Sequence, residues 1–93
     1  MVTNNIMMKL KDRKDAETVK AALEGMMGKI DSLVEAKVYL NEVPREVTYD
    51  LLYVSRFPDK DGQQEYIKHP VHIATGAEIG KYVENMIMVG YEE

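Results

Sequence analysis

Apolar side chains recur along this chain at two spacings, and the switches between them divide it into elements. Residues 5–11 (NIMMKLK) alternate, with Ile6, Met8 and Leu10 facing one way and Met7, Lys9 and Lys11 the other. That period of two predicts a strand whose second face keeps one apolar residue, Met7. After a polar connection, Ala16, Val19, Leu23, Met26 and Ile30 recur at steps of three and four. They form one stripe of a helix that should end near Gly28, with Asp15 as its N-cap and Glu17 adding negative charge to its first turn. Residues 34–40 (VEAKVYL) alternate again, setting Val34, Ala36, Val38 and Leu40 against Glu35, Lys37 and Tyr39.

The loop 41–46 contains Pro44, which cannot donate to a sheet ladder. A third strand is expected over 48–57 (TYDLLYVSRF), apolar on both faces: Tyr49, Leu51, Tyr53 and Phe57 on one, Leu52 and Val54 on the other. A turn at 58–62 leads into a short helix reaching Lys68. Pro70 suits the first position of a new helix, with His69 just outside it, and that helix should run to about Gly80. The last strand, 82–91 (YVENMIMVGY), is again two-sided, with Val83, Ile87 and Val89 against Met86 and Met88. The order is β-α-β-β-α-β with the second helical segment broken at Pro70. It predicts a ferredoxin-like α+β protomer with a four-stranded antiparallel sheet.

Helices on one side of such a sheet account for one set of residues. The other set, with Met7, Tyr39 and one side each of the third and fourth strands, has no cover within 93 residues. A contiguous exposed apolar face of that kind marks an interface. We therefore expect a homodimer through the sheet face, packed sheet to sheet with two-fold symmetry.

Composition narrows the function classes. Hydrophobic content of 45% argues against disorder, and no apolar run approaches the ~20 residues of a membrane helix. The first residues lack the basic and apolar regions of a secretory signal. With no cysteine there is no disulfide or thiol chemistry, and a cytoplasmic location is expected. The net charge is -4, and basic residues are scattered, so neither nucleic acid nor a membrane is expected as a partner.

The chemistry-bearing stretch is YIKHPVH, residues 66–72, which holds both histidines of the chain. If Pro70 opens a helix, His72 lies in its first turn, beside free backbone N–H groups able to hold an enolate or carboxylate oxygen. Tyr66 is placed to donate to a carbonyl or to orient His72. A neutral imidazole beside an oxyanion site is the minimum equipment for removing a proton next to a carbonyl. The sheet face bearing Tyr49 and Tyr53 would supply an apolar pocket for an aromatic or carbonyl ligand. The same residues have a purely structural use: His69 capping the helix, His72 bonding a backbone carbonyl across the junction, and Tyr66 in the core with its hydroxyl at the surface. No metal site is read, because Pro70 interrupts the helix between His69 and His72 and no third ligand is spaced to join them.

Four segments together, NIMMKLKD, YDLLYVSRF, GQQEYIKHPVH and ENMIMVGYEE, resemble the Dabb family, the stress-responsive dimeric α+β barrel proteins. The likeness runs in order over essentially the whole chain, and YIKHPVH is its most specific part. It implies a single domain over residues 1–93, a homodimer whose two sheets form a barrel, no cofactor, and a stress-related or structural role. The best-defined enzyme of the family, olivetolic acid cyclase, closes a linear polyketide by metal-free aldol chemistry, using the tyrosine and the second histidine of the motif, the histidine as general base. These match Tyr66 and His72, and the first histidine matches His69. The cyclase's early first-strand histidine is replaced here by Asn4, or by Asn5 if the alignment slips by one. Three expectations stand side by side: a structural or stress-related dimer, a metal-free enzyme acting on a carbonyl substrate, and a binder of a small apolar ligand.

Overall fold

The computed structural model describes Met1–Glu93. Four strands, β1 (Val2–Leu10), β2 (Glu35–Leu40), β3 (Leu51–Phe57) and β4 (Val83–Glu92), form one antiparallel sheet in the order β2-β3-β1-β4. Helices α1 (Ala16–Glu24), α2 (Lys60–Lys68) and α3 (Pro70–Ile79) supply the helical connections. This is the expected ferredoxin-like α+β arrangement, with the second helical segment broken at Pro70. No helix is long and apolar enough to cross a membrane.

The strand registers sort the side chains into two faces. On the helix side, Val38, Tyr53, Ile6 and Met88 form one cross-strand row, and Ala36, Ser55, Asn4 and Gly90 the next. Leu51, Tyr53, Ser55 and Phe57 of β3 are buried there, and with Val19, Leu23 and Met26 they belong to the core. On the other side, Tyr39, Leu52, Met7 and Ile87 form a continuous row across all four strands, followed by Lys37, Val54, Asn5 and Val89. This second face is open.

β4 departs from expectation. It lies at the sheet edge, and from Glu84 onward every residue is exposed on whichever face it points to. Met86 and Met88 are on the helix side, yet the helices leave them exposed. At the opposite edge, the outward N–H of Val38 donates to Glu24 Oε2 of α1 at 2.9 Å. A side chain therefore occupies that edge group, which limits further strand pairing there.

Several boundaries move for local reasons. Asp15 precedes α1 but makes no side-chain cap bond. Asp12 instead accepts from Lys14 N and caps a single 3-10 turn, Arg13–Asp15, that feeds the helix. α1 stops at Glu24 rather than near Gly28. Gly28 adopts φ 83, a left-handed conformation costly for other residues, and turns the chain so that Met26 and Ile30 remain buried outside the helix. β3 begins at Leu51, not Thr48. Thr48 Oγ1 both donates to Arg45 O and accepts from Arg45 N, closing a local turn. Asp50 then donates its N–H to Met8 O while its carboxylate takes the N–H of Leu10.

Candidate functional site

YIKHPVH is a helix junction in which the Tyr66 hydroxyl, His69 Nδ1 and His72 Nδ1 each have a partner within the protomer. Asp59 starts α2 by accepting from Gly62 N at 2.7 Å. The helix ends at Lys68, because His69 has extended backbone (φ -68, ψ 135), as the residue before a proline prefers. Pro70 occupies the first turn of α3, where its missing N–H costs nothing. His69 Nδ1 accepts from Val71 N at 3.1 Å and is the N-cap. His72 Nδ1 lies 3.1 Å from the carbonyl oxygen of Ile67 in the last turn of α2, tying the two helices together.

These partners assign the tautomers. A ring nitrogen that accepts from a backbone N–H carries no proton, and one that faces a carbonyl must carry one. Neutral His69 is therefore protonated on Nε2, and neutral His72 on Nδ1. The two imidazoles are held in opposite tautomers, and only His72 has a free lone pair on Nε2.

Tyr66 is buried in the core, and its hydroxyl is not at the surface. Its oxygen lies 3.0 Å from that of Tyr53, on β3. Its ring packs at 4.8 Å from Phe57 and 4.3 Å from His72, centroid to centroid. Burial pushes both tyrosine hydroxyls above their ordinary range, and for Tyr53 the neighbouring Tyr66 adds to this, so both stay protonated. Neighbouring Ser55 is 1% exposed, and its Oγ has no hydrogen-bond partner. Asn4 lies on the same face, paired with Ser55 in the ladder and packed over Gly90, where a methyl group would collide with Asn4 Oδ1.

Of the candidate site residues, Tyr53, Tyr66 and His72 come together, with His69 next in the junction and Asn4 one ladder row away. Tyr49 does not join them. It lines a cavity of about 500 Å3 on the open face with Met7, Tyr39, Val47, Leu52 and Ile87. The pocket expected to hold Tyr49 and Tyr53 together is thus divided by the sheet. The five main cavities of the chain are lined by residues other than Tyr66, His69 and His72. Nowhere do three or more His, Asp or Glu side chains converge. The Tyr53–Tyr66 pairing was missed because the tyrosines are thirteen residues apart on different elements. The alternation of β3 places Tyr53 inside but does not reveal what lies above it.

A second polar cluster, unsuspected from sequence, lies at one end of the open face. Arg56 reaches Glu35 at 3.6 Å and Glu93 at 3.0 Å. Thr3 Oγ1 donates to the Glu93 carboxylate. That bond, followed by the Arg56 guanidinium, holds the Glu93 carboxyl below its usual range.

Solved structures resemble this one over nearly its whole length. A dimeric protein of unknown function with a ferredoxin-like fold from Bacteroides fragilis is 29% identical, with a TM-score of 0.86 over 99% of this chain and 95% of that one. A dimeric ferredoxin-like protein of unknown function from Thermobifida fusca is 21% identical, with a TM-score of 0.84 over 99% and 90%. A hydroxynitrile lyase from Passiflora edulis shares the fold at 15% identity, with a TM-score of 0.83 over 97% and 90%. A search of curated proteins gave no match. The family model of the stress responsive A/B barrel domain matches residues 2–93, and with its fold and junction motif in place the chain belongs to the Dabb family.

Proposed function

We propose that this protein works as a homodimer joined through the open sheet face, and that YIKHPVH serves first to build the protomer. The observation that carries this reading is the row Tyr39–Leu52–Met7–Ile87. It crosses all four strands and leaves Tyr39, Met7 and Ile87 52%, 46% and 51% exposed. Val89, in the next row, is 65% exposed. Apolar area left in water forgoes about 25 cal/mol per Å2, and a standard interface covers about 800 Å2 on each partner. Two solved neighbours described as dimers support the same reading. A stress-related role is compatible with the family description and rests on it alone. Sedimentation equilibrium at micromolar protein should give twice the monomer mass. Val89→Asp, which places a carboxylate in the joint, should give the monomer mass with an unchanged far-ultraviolet spectrum. A parent chain that remains monomeric at those concentrations would defeat the reading.

One observation favours a second reading, metal-free proton abstraction next to a carbonyl: the free Nε2 lone pair of His72 beside the Tyr66 ring. The fold neighbour named as a hydroxynitrile lyase supports only the coarser point that this fold can carry an enzyme. The Tyr53–Tyr66 hydrogen bond weighs against it, because it engages the hydroxyl a substrate would need. Solvent deuterium exchange into a carbonyl substrate, abolished by His72→Gln, would establish it.

A further inference from the structure

We propose that the open-face cavity is a ligand site for a flat apolar molecule carrying one oxygen acceptor, with the sheet of a second copy as its roof. The proposal rests on the dimer reading for that roof, and it concerns the side of the sheet away from YIKHPVH.

The cavity has a floor, a wall and two unused donors, the hydroxyl of Tyr49 and the side-chain amide of Asn41, whose Nδ2 is buried without a partner. Its floor is the row Tyr39, Leu52, Met7 and Ile87. Its wall is the segment 41–50, which contributes Val47 and Tyr49. Eight of the ten lining residues are hydrophobic, and the volume of about 500 Å3 lies within the range of small-molecule sites. Val47 stands at the rim, 80% exposed, where an isolated protomer offers it nothing to pack against.

That the Tyr49 hydroxyl is free to donate follows from a chain of hydrogen bonds. Asn85 Oδ1 accepts from Met86 N at 3.0 Å, which orients the amide so that Nδ2 faces Tyr49. Asn85 Nδ2 donates to Tyr49 Oη at 2.8 Å. Tyr49 therefore acts as an acceptor in that contact, and its own O–H hydrogen remains available. Thr48 offers no competing group, since its hydroxyl is engaged both ways with Arg45.

A roof made only of apolar partner side chains would bury the Tyr49 donor without an acceptor, which is unfavourable. A ligand with a carbonyl or carboxylate oxygen satisfies it, while its body packs on the floor row. The geometry favours a mono- or bicyclic aromatic ketone, aldehyde or acid. The sheet supplies a flat floor, and the Tyr49 donor stands on the wall beside it.

The test titrates 2-acetylnaphthalene into the full chain, followed by 15N amide shifts, with 2-ethylnaphthalene as a probe of similar shape lacking the acceptor. Saturable shifts are expected at Met7, Val47, Tyr49, Leu52 and Ile87 and not at Tyr66, His69 or His72. Tyr49→Phe should weaken the ketone about tenfold, the worth of one good hydrogen bond, and leave the hydrocarbon unchanged. Leu52→Trp should fill the space and abolish both. Sedimentation of each variant reads the dimer separately: a monomeric parent defeats the dimer reading whatever the titration gives. A dimer with no saturable ketone binding, or with binding indifferent to Tyr49→Phe, overturns the ligand site alone.

Discussion

The two faces of this sheet are built from the same strands, yet they solve opposite problems. On the helix side of β3, Leu51, Tyr53, Ser55 and Phe57 are no more than 3% exposed, and the tyrosine hydroxyl is paired within the protomer. On the open side of the same strand, Leu52, Val54 and Arg56 are half-buried. There the ion pairs gather at one end, around Arg56 and Glu93, and the apolar row lies uncovered. A face that closes on its own chain pairs its polar groups internally, as Tyr53 does with Tyr66, with Ser55 Oγ the exception on β3. A face that waits for another surface keeps its polar network apart from a continuous apolar patch.

That contrast predicts two kinds of destabilisation, and the largest effect falls on the closed face. Phe57 is fully buried against Tyr66, so Phe57→Ala should cost about 3–5 kcal/mol through lost transfer and a residual cavity. The loss should appear as a lower urea midpoint that does not depend on protein concentration. Leu52→Ala removes a comparable apolar group from the open face, and its effect should appear instead as weaker dimerisation, with a melting temperature that falls on dilution. Equal, concentration-independent losses from both substitutions would abolish the distinction between the faces.

A smaller effect tests how the closed face handles its polar groups. Tyr53→Phe or Tyr66→Phe leaves the remaining hydroxyl buried without its partner, at about 1–3 kcal/mol each. The double substitution removes both hydroxyls and should cost less than the two single losses added together. Thermal melts of the four proteins give the coupling directly. Strict additivity would mean that the 3.0 Å contact holds no energy of its own, and that Ser55, with its unpartnered Oγ beside them, is not the only polar group left unsatisfied in that layer.

The fold was largely legible in the sequence because both periodicities are well kept. The alternation of Ile6, Met8 and Leu10, the stripe from Ala16 to Leu23 and the break at Pro70 are local signals, and local physics suffices to read them. The junction roles of His69 and His72 were legible for the same reason, since Pro70 dictates backbone geometry on both sides. What sequence did not reveal depends on strand order. Met86 and Met88 alternate like covered residues, but β4 is an edge strand beyond the reach of the helices, and only the topology shows it. Tyr49 has the parity of Tyr53 in a strand. The turn closed by Thr48 and Arg45 ends that parity before β3 begins and turns Tyr49 to the open side. Asp12 and Asp15 are chemically equivalent caps three residues apart, and the extra 3-10 turn chose the first.

The smallest expected effect concerns the polar end of the open face. Glu93 has a carboxyl held below its ordinary range, first by the hydrogen bond from Thr3 and then by Arg56. A depressed folded-state pKa means that the native chain prefers the ionised carboxylate. The stabilising contribution is therefore complete above the unfolded value and is lost as pH falls through the lower folded value. Because the group is exposed, the effect should be slight, and side-chain NMR titration will read it better than melting. Thr3→Val and Arg56→Met should each return the Glu93 midpoint toward the ordinary glutamate range. Salt separates the two causes. Near 1 M the screening length shrinks to about 3 Å, so the Arg56 contribution fades while the Thr3 hydrogen bond persists. If Arg56→Met has the larger effect and high salt erases the whole shift, the cluster is held by charge alone. The open face would then lack a hydrogen-bonded anchor at its Arg56 end.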